Sequence, residues 1–206
     1  MSAIAILGTG SMAKQLGLGW TRAGHRVVLG SRDPDRSVDT ELEVATYGAA
    51  IDSADVVVLA VPFSAVEELV EYHRFELTGK VIIDITNPFD HLPSNELAGA
   101  EYTARALGSS AGLVAAFKDN FAATVNAVRP ANGARADVKI AGDDESAKDV
   151  VRALVADLDH RVLDCGPLHN ARLLDGMVSL MLDLDRRYAG FTMNTGWKFF
   201  GLEDEL

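Results

Sequence analysis

Six consecutive residues, Gly8-Thr9-Gly10-Ser11-Met12-Ala13, follow a short apolar run and open an amphipathic stretch. Two glycines one residue apart in a strand–turn–helix setting suit the binding of a phosphate. Gly8 permits a tight turn, Gly10 lets backbone amides approach a pyrophosphate, and Ala13 keeps the helix close to the sheet behind it. The unpaired N–H groups of the helix start then face the anion, with Thr9, Ser11 and Met12 around it. Glycine pairs are common by chance. This one gains meaning from its place directly after the first strand of an alternating chain.

The end of the second strand reads Leu29-Gly30-Ser31-Arg32-Asp33-Pro34-Asp35-Arg36. A site for NAD usually carries Asp or Glu at that strand end, bonded to the ribose hydroxyls. Here Ser31 offers a hydroxyl, Arg32 a planar guanidinium fork, and Arg36 a second cation four residues on, a set suited to a 2′-phosphate. The competing reading is a solvated turn in which Asp33 and Asp35 neutralise both arginines. NADP(H) is the expected dinucleotide. Two further strand ends, Ala60-Val61-Pro62 and Thr86-Asn87-Pro88, are expected to pass under the nicotinamide ribose and to approach its ring.

These residues need a frame, and the apolar pattern supplies one. Residues 3–7, 26–29, 56–61, 81–85 and 112–117 read as strands. The unbroken aliphatic runs among them are typical of strands buried on both faces of a parallel sheet. Helices are expected over residues 11–23, where Met12, Leu16 and Trp20 recur at fourfold spacing, and over 38–47, 65–72 and 96–107. This order predicts an α/β fold, a doubly wound parallel sheet forming a Rossmann-type NADP-binding domain over residues 1–125. A small C-terminal α/β domain is expected over residues 126–206. Its strands lie at 138–141 and 161–164, one helix is capped by the acids of Gly142-Asp143-Asp144-Glu145, and a last helix spans 170–188. The stripe of that helix (Leu173, Leu174, Met177, Val178, Leu180, Met181 and Leu184) is wide enough to serve both a core and a homodimer seam.

The formal charge of −11 over 206 residues argues against nucleic acid or an anionic membrane as a partner. A single cysteine, Cys165, allows no internal disulfide and no cysteine-based metal site, and its apolar flanks suggest a buried small side chain. The five histidines show no metal-ligand spacing, so no metal is expected. The start has no signal-peptide pattern and no apolar run approaches the length of a membrane span, which leads to an expected cytoplasmic location.

The sequence resembles the NADP-dependent reductases of the deazaflavin coenzyme F420, whose short relatives include the reductase domain of the six-transmembrane metalloreductases. The resemblance covers nearly the whole chain. It rests on Gly8-Thr9-Gly10, on Gly30-Ser31-Arg32 with Arg36, and on Val61-Pro62-Phe63. Further support comes from residues 141–146, from Asp164-Cys165-Gly166-Pro167-Leu168-His169-Asn170-Ala171-Arg172, and from Gly196-Trp197-Lys198-Phe199. It implies that coenzyme F420 is the co-substrate and that the C-terminal unit covers the cleft. The deazaflavin would then lie between Pro88, residues 118–121 and residues 193–199, with Lys118, Asn120, Gly196 and Trp197 as its contacts. The lysine departs from the family: short relatives often read Ala-Phe-Asn here, and archaeal enzymes carry a histidine.

Hydride transfer between two rings needs orientation and a dry cleft, with the reacting carbons at about 3–3.5 Å. No catalytic side chain is therefore expected. Lys118 could stabilise charge on the deazaflavin's pyrimidine edge or sit on the surface with Asp119. Trp197 could stack on the acceptor or belong to the core, and Lys198 could meet the anionic tail. Other acceptors (a flavin, a metal chelate or an imine) and a non-catalytic NADPH sensor remain open.

Overall fold

The structure is a computed structural model that describes residues 1–36, 40–89, 97–108, 111–126 and 135–201. Strands β1 (Ala3–Leu7), β2 (Arg26–Ser31), β3 (Glu43–Thr46), β4 (Val56–Leu59), β5 (Val81–Asp84), β6 (Gly112–Ala116), β7 (Val138–Gly142) and β8 (Val162–Asp164) form one sheet. Its order is β3-β2-β1-β4-β5-β6-β7-β8. All pairings are parallel except that between β6 and β7, which is antiparallel. The helices are α1 (Ser11–Arg22), α2 (Tyr47–Asp52), α3 (Val66–Tyr72), α4 (Arg74–Leu77), α5 (Gly99–Leu107), α6 (Ala122–Val125), α7 (Glu145–Ala156) and α8 (Ala171–Tyr188).

Alternation along the strands builds a core on each face. Ala5, Leu7, Val57 and Leu59 face one side, where Leu69, Leu107 and Leu174 meet them. Ile4, Ile6, Val56 and Val58 face the other, against Leu16 and Trp20 of α1 and Val151 and Leu154 of α7. Each Val, Leu or Ile among them stabilises the fold by about 1.5–3 kcal/mol on full burial. Trp20 also donates its indole N–H to Leu154 O at 2.8 Å, so α1 and α7 are joined by a bond as well as by packing.

Two expectations change. The helix expected over 38–47 is replaced, within the described residues, by the strand β3 and the helix α2, with Thr46 capping α2 through Ala49 N–H. The strands assigned to a separate C-terminal unit extend the main sheet, because β7 turns back along β6 and β8 pairs with β7. The cap at Asp144 is present: its carboxylate accepts from Ala147 N–H at 3.1 Å. Cys165 is half-buried, and that burial pushes its thiol pKa up. Among the described residues no helix is long and apolar enough to cross a membrane.

Candidate active site

β1 pairs with β2 on one side and β4 on the other, so the strand order reverses at β1. The helices leaving β1 and β4 diverge there and open a crevice at the carboxyl ends of the strands, where ligands bind in such sheets. Gly8 sits at that crest. Its amide donates to Gly30 O, and Leu7 O accepts from Ala60 N–H, both at 2.9 Å, which clamps the turn to both neighbours. Gly8 has φ of +135°, and a Cβ there would lie 2.3 Å from Ala60 O, so no other residue fits. Gly10 is the opposite case. A Cβ on it meets nothing within 4 Å, because the space in front of it is open. Gly10 is also the N-cap of α1, with no side-chain cap and no acid in the first turn. The orphan N–H groups of that helix end are thus left for an anion.

Two cavities meet along the crest of β4, sharing Ala60, Val61 and Pro62. The smaller, of about 510 Å³, is bordered by Gly8, Thr9 and Gly10 and by Ser31, Arg32 and Arg36. Among the described residues neither arginine is ion-paired with Asp33 or Asp35, so the self-neutralised turn is not formed. Lys14 and Tyr47 border the same cavity, and the sequence reading missed both. Lys14 sits one position beyond the fingerprint and could have been read from it. Tyr47 reaches the cavity only because β3 carries it there; burial raises its phenol pKa, with nearby Arg32 opposing.

The larger cavity, of about 1050 Å³, holds the remaining cofactor candidates Ser11, Met12, Asn87 and Pro88 together with Lys118 and Asn120. Its other walls are apolar, with Phe63, Phe121, Val178, Leu182 and Met193 prominent. Asn87 Nδ2 donates to Lys118 O at 2.8 Å, while its Oδ1 is buried without a partner. That orphan acceptor fits the amide or hydroxyl donors at the nicotinamide end of a dinucleotide.

Lys118 borders this cavity and is not a surface lysine paired with Asp119. Its side chain is fully buried, with the ammonium 3.0 Å from Asp175 Oδ1 and 3.9 Å from Asp84 Oδ1, and it donates to Thr86 O. Asp119 pairs with Lys139 instead, at 2.7 Å. Gly196 and Trp197 do not border either cavity. A Cβ on Gly196 would come 2.5 Å from that of Ala136, and Trp197 packs behind the wall on Phe121, Val178 and Met181. Hydrogen bonds tie the tail, residues 193–199, to the rest of the fold. Asp185 accepts from Met193 N–H and Thr195 Oγ1, each at 2.9 Å, and Asp137 N–H donates to Trp197 O at 2.8 Å. Lys198 Nζ is 3.6 Å from Asp137 Oδ1, so it is engaged within the chain. Burial opposes ionisation of Asp137, yet hydrogen bonds from Arg161 and the Phe199 amide hold its carboxyl below the usual range.

The glycine turn, the Ser31, Arg32 and Arg36 group and the Asn87-Pro88 wall therefore line one continuous cleft. The sequence profile described as NADP oxidoreductase, coenzyme F420-dependent, matches residues 3–88. An F420-dependent NADP reductase of Methanothermobacter thermautotrophicus is 31% identical over 91% of this chain and 90% of its own length. The chain belongs to the F420-dependent NADP reductase family. A crystal structure from Arthrobacter sp. FB24 carrying the same family name superposes with a TM-score of 0.85 at 26% identity, covering 97% of this chain and 99% of that one. The rat metalloreductase STEAP3 is 31% identical over 84% of this chain, which spans 36% of that protein.

Proposed function

We propose that this family member transfers a hydride between NADP(H) and a deazaflavin coenzyme of the F420 type. The observation that carries the reading is the division of the cleft. A polar, cationic end at Ser31, Arg32 and Arg36 is joined across Ala60–Pro62 to an apolar chamber lined by aromatic rings. Arg32 and Arg36 hold the 2′-phosphate, and the Gly10 turn takes the pyrophosphate on its backbone amides. Asn87 Oδ1 receives a donor from the nicotinamide end. When bound, NADPH supplies the hydride, and the chain provides orientation and electrostatics. Phe63, Phe121, Val178 and Leu182 keep bulk water from the meeting point of two flat rings.

The chamber presents no acid or base suited to proton transfer among its described residues, since the Lys118 ammonium is sealed behind the wall. That suits direct transfer between rings, which needs none. The family name of the relatives supports the deazaflavin as acceptor. The test is reduction by NADPH with the purified chain, followed as loss of the deazaflavin's visible absorbance, beside a flavin, a ferric chelate and a cyclic imine at equal concentration. The deazaflavin is expected to be reduced fastest; faster reduction of any of the others overturns the reading. A metal chelate is the second candidate, favoured by the similarity to the metalloreductase and weakened by how little of that protein this chain spans.

A further inference from the structure

Asn120 is among the residues that line the larger cavity, and its buried side-chain carbonyl oxygen has no partner among the described residues. β6 is followed by Phe117, whose φ of +54° is left-handed and costly for a side chain of that size. Asn120 N–H closes the turn on Phe117 O at 3.2 Å, which brings Asn120 to the cavity wall. Its Nδ2 donates to Asp137 O at 3.2 Å. Because a carbonyl can face only the donor end of the amide, this bond fixes which way the amide lies. Asn120 is 7% exposed, and its Oδ1 is buried with no hydrogen-bond partner. A buried acceptor without a donor is destabilising, and a ligand that brings the donor returns that stability.

Asn87 follows the same logic one strand closer to the phosphate turn, its Nδ2 held by Lys118 O and its Oδ1 orphaned. With β4, β5 and β6 adjacent, Asn87 follows β5 and Asn120 follows β6, one strand further from the glycine turn and next to Phe121. The far end of the chamber thus has apolar walls and, among its lining residues, an amide whose buried oxygen is unsatisfied. A complementary molecule is a flat ring with apolar faces and an N–H in its plane.

We propose that Asn120 determines specificity for the hydride acceptor, its Oδ1 accepting a hydrogen bond from a lactam or imide N–H on the ring edge. This rests on the deazaflavin reading and names the group by which that ring is recognised. A site built around a hydrogen bond rejects analogues that lack the donor, because the acceptor is then left buried and unpaired.

The test compares a deazaflavin that keeps its imide N–H with the same ring methylated at that nitrogen, using the full chain and NADPH. For the native chain, methylation is expected to lower kcat/KM about tenfold or more. In Asn120→Ala the ratio between the two rings should fall close to one, with NADPH affinity, read from its fluorescence, retained. Should that variant lose NADPH binding, Asn120→Ser is read by the same ratio. Equal rates with both rings in the native chain overturn the inference and leave the deazaflavin reading standing. Discrimination that persists in the variant also overturns it, since another group must then read the N–H. Failure to reduce either ring overturns the deazaflavin reading and this inference with it.

Discussion

Lys118 Nζ lies 3.0 Å from Asp175 Oδ1, and both side chains are shut away from solvent. The pair joins the end of β6 to α8. Asp175 Oδ2 also accepts from Gly99 N–H at the start of α5, at 2.9 Å, and Lys118 donates to Thr86 O beyond β5. One ammonium group thereby holds the Thr86-Asn87 wall of the cavity in place. Lys118→Ala leaves Asp175 and Asp84 buried without their cation and should cost about 3–5 kcal/mol of stability. Lys118→Met combined with Asp175→Asn should cost less than the sum of the two single changes. Urea unfolding reads both; a loss below about 1 kcal/mol for Lys118→Ala would show that the pair is not structural.

The two glycines of the turn should respond in opposite ways. Gly10→Val points a side chain into open space, so it should abolish dinucleotide binding and leave the melting temperature nearly unchanged. Gly8→Ala forces a Cβ to 2.3 Å from Ala60 O at a positive φ, so it should lower stability first. Calorimetry with and without NADPH separates the two. Tight NADPH binding by Gly10→Val would contradict the phosphate assignment.

Arg32 should discriminate between the dinucleotides. A charged hydrogen bond contributes about 1.5–3 kcal/mol, so Arg32→Ala should weaken NADPH roughly ten- to a hundredfold. NADH binding should change little. Equal losses for both would mean that Arg32 supports the fold and does not read the phosphate.

That the glycine turn and the two arginines come together was legible because the signals are local: a short motif after a strand, then a second strand end without a carboxylate. What escaped depends on contacts distant in sequence. Of the β3 residues, Glu43 and Thr46 are exposed and Val44 and Ala45 half-buried, and their strand geometry comes from pairing with β2. Near Leu42, Val44 and Tyr47 the apolar spacing is too irregular to separate helix from strand. Lys118 followed by Asp119 reads as a surface pair, yet its partner arrives from α8, 57 residues later in the chain. Trp197 carries an aromatic ring near the cleft in sequence terms, but Asp137 and Asp185 fix the tail so that the ring backs the wall.

α8 should form the seam of a homodimer. Leu174, Val178 and Met181 are buried within the chain, whereas Leu173 and Leu180 are 61% and 52% exposed, and Tyr188 lies further along the helix at 83%. Exposed apolar surface of this kind on one helix marks an interaction site in a soluble protein. Leu180→Glu should shift the particle toward the monomer in light scattering. A native particle of 22.0 kDa at micromolar concentration would contradict the seam.

The central claim is direct hydride transfer from NADPH to a deazaflavin in the cleft between Arg32 and Asn120. It is tested most directly with NADPH carrying deuterium at both positions of the nicotinamide C4, mixed with the chain and the oxidised deazaflavin in ordinary water. Mass spectrometry of the reduced deazaflavin should find one deuterium on its ring carbon, delivered without exchange. A reduced ring carrying hydrogen from the solvent, or a deazaflavin left oxidised while NADPH stays bound, would contradict the account.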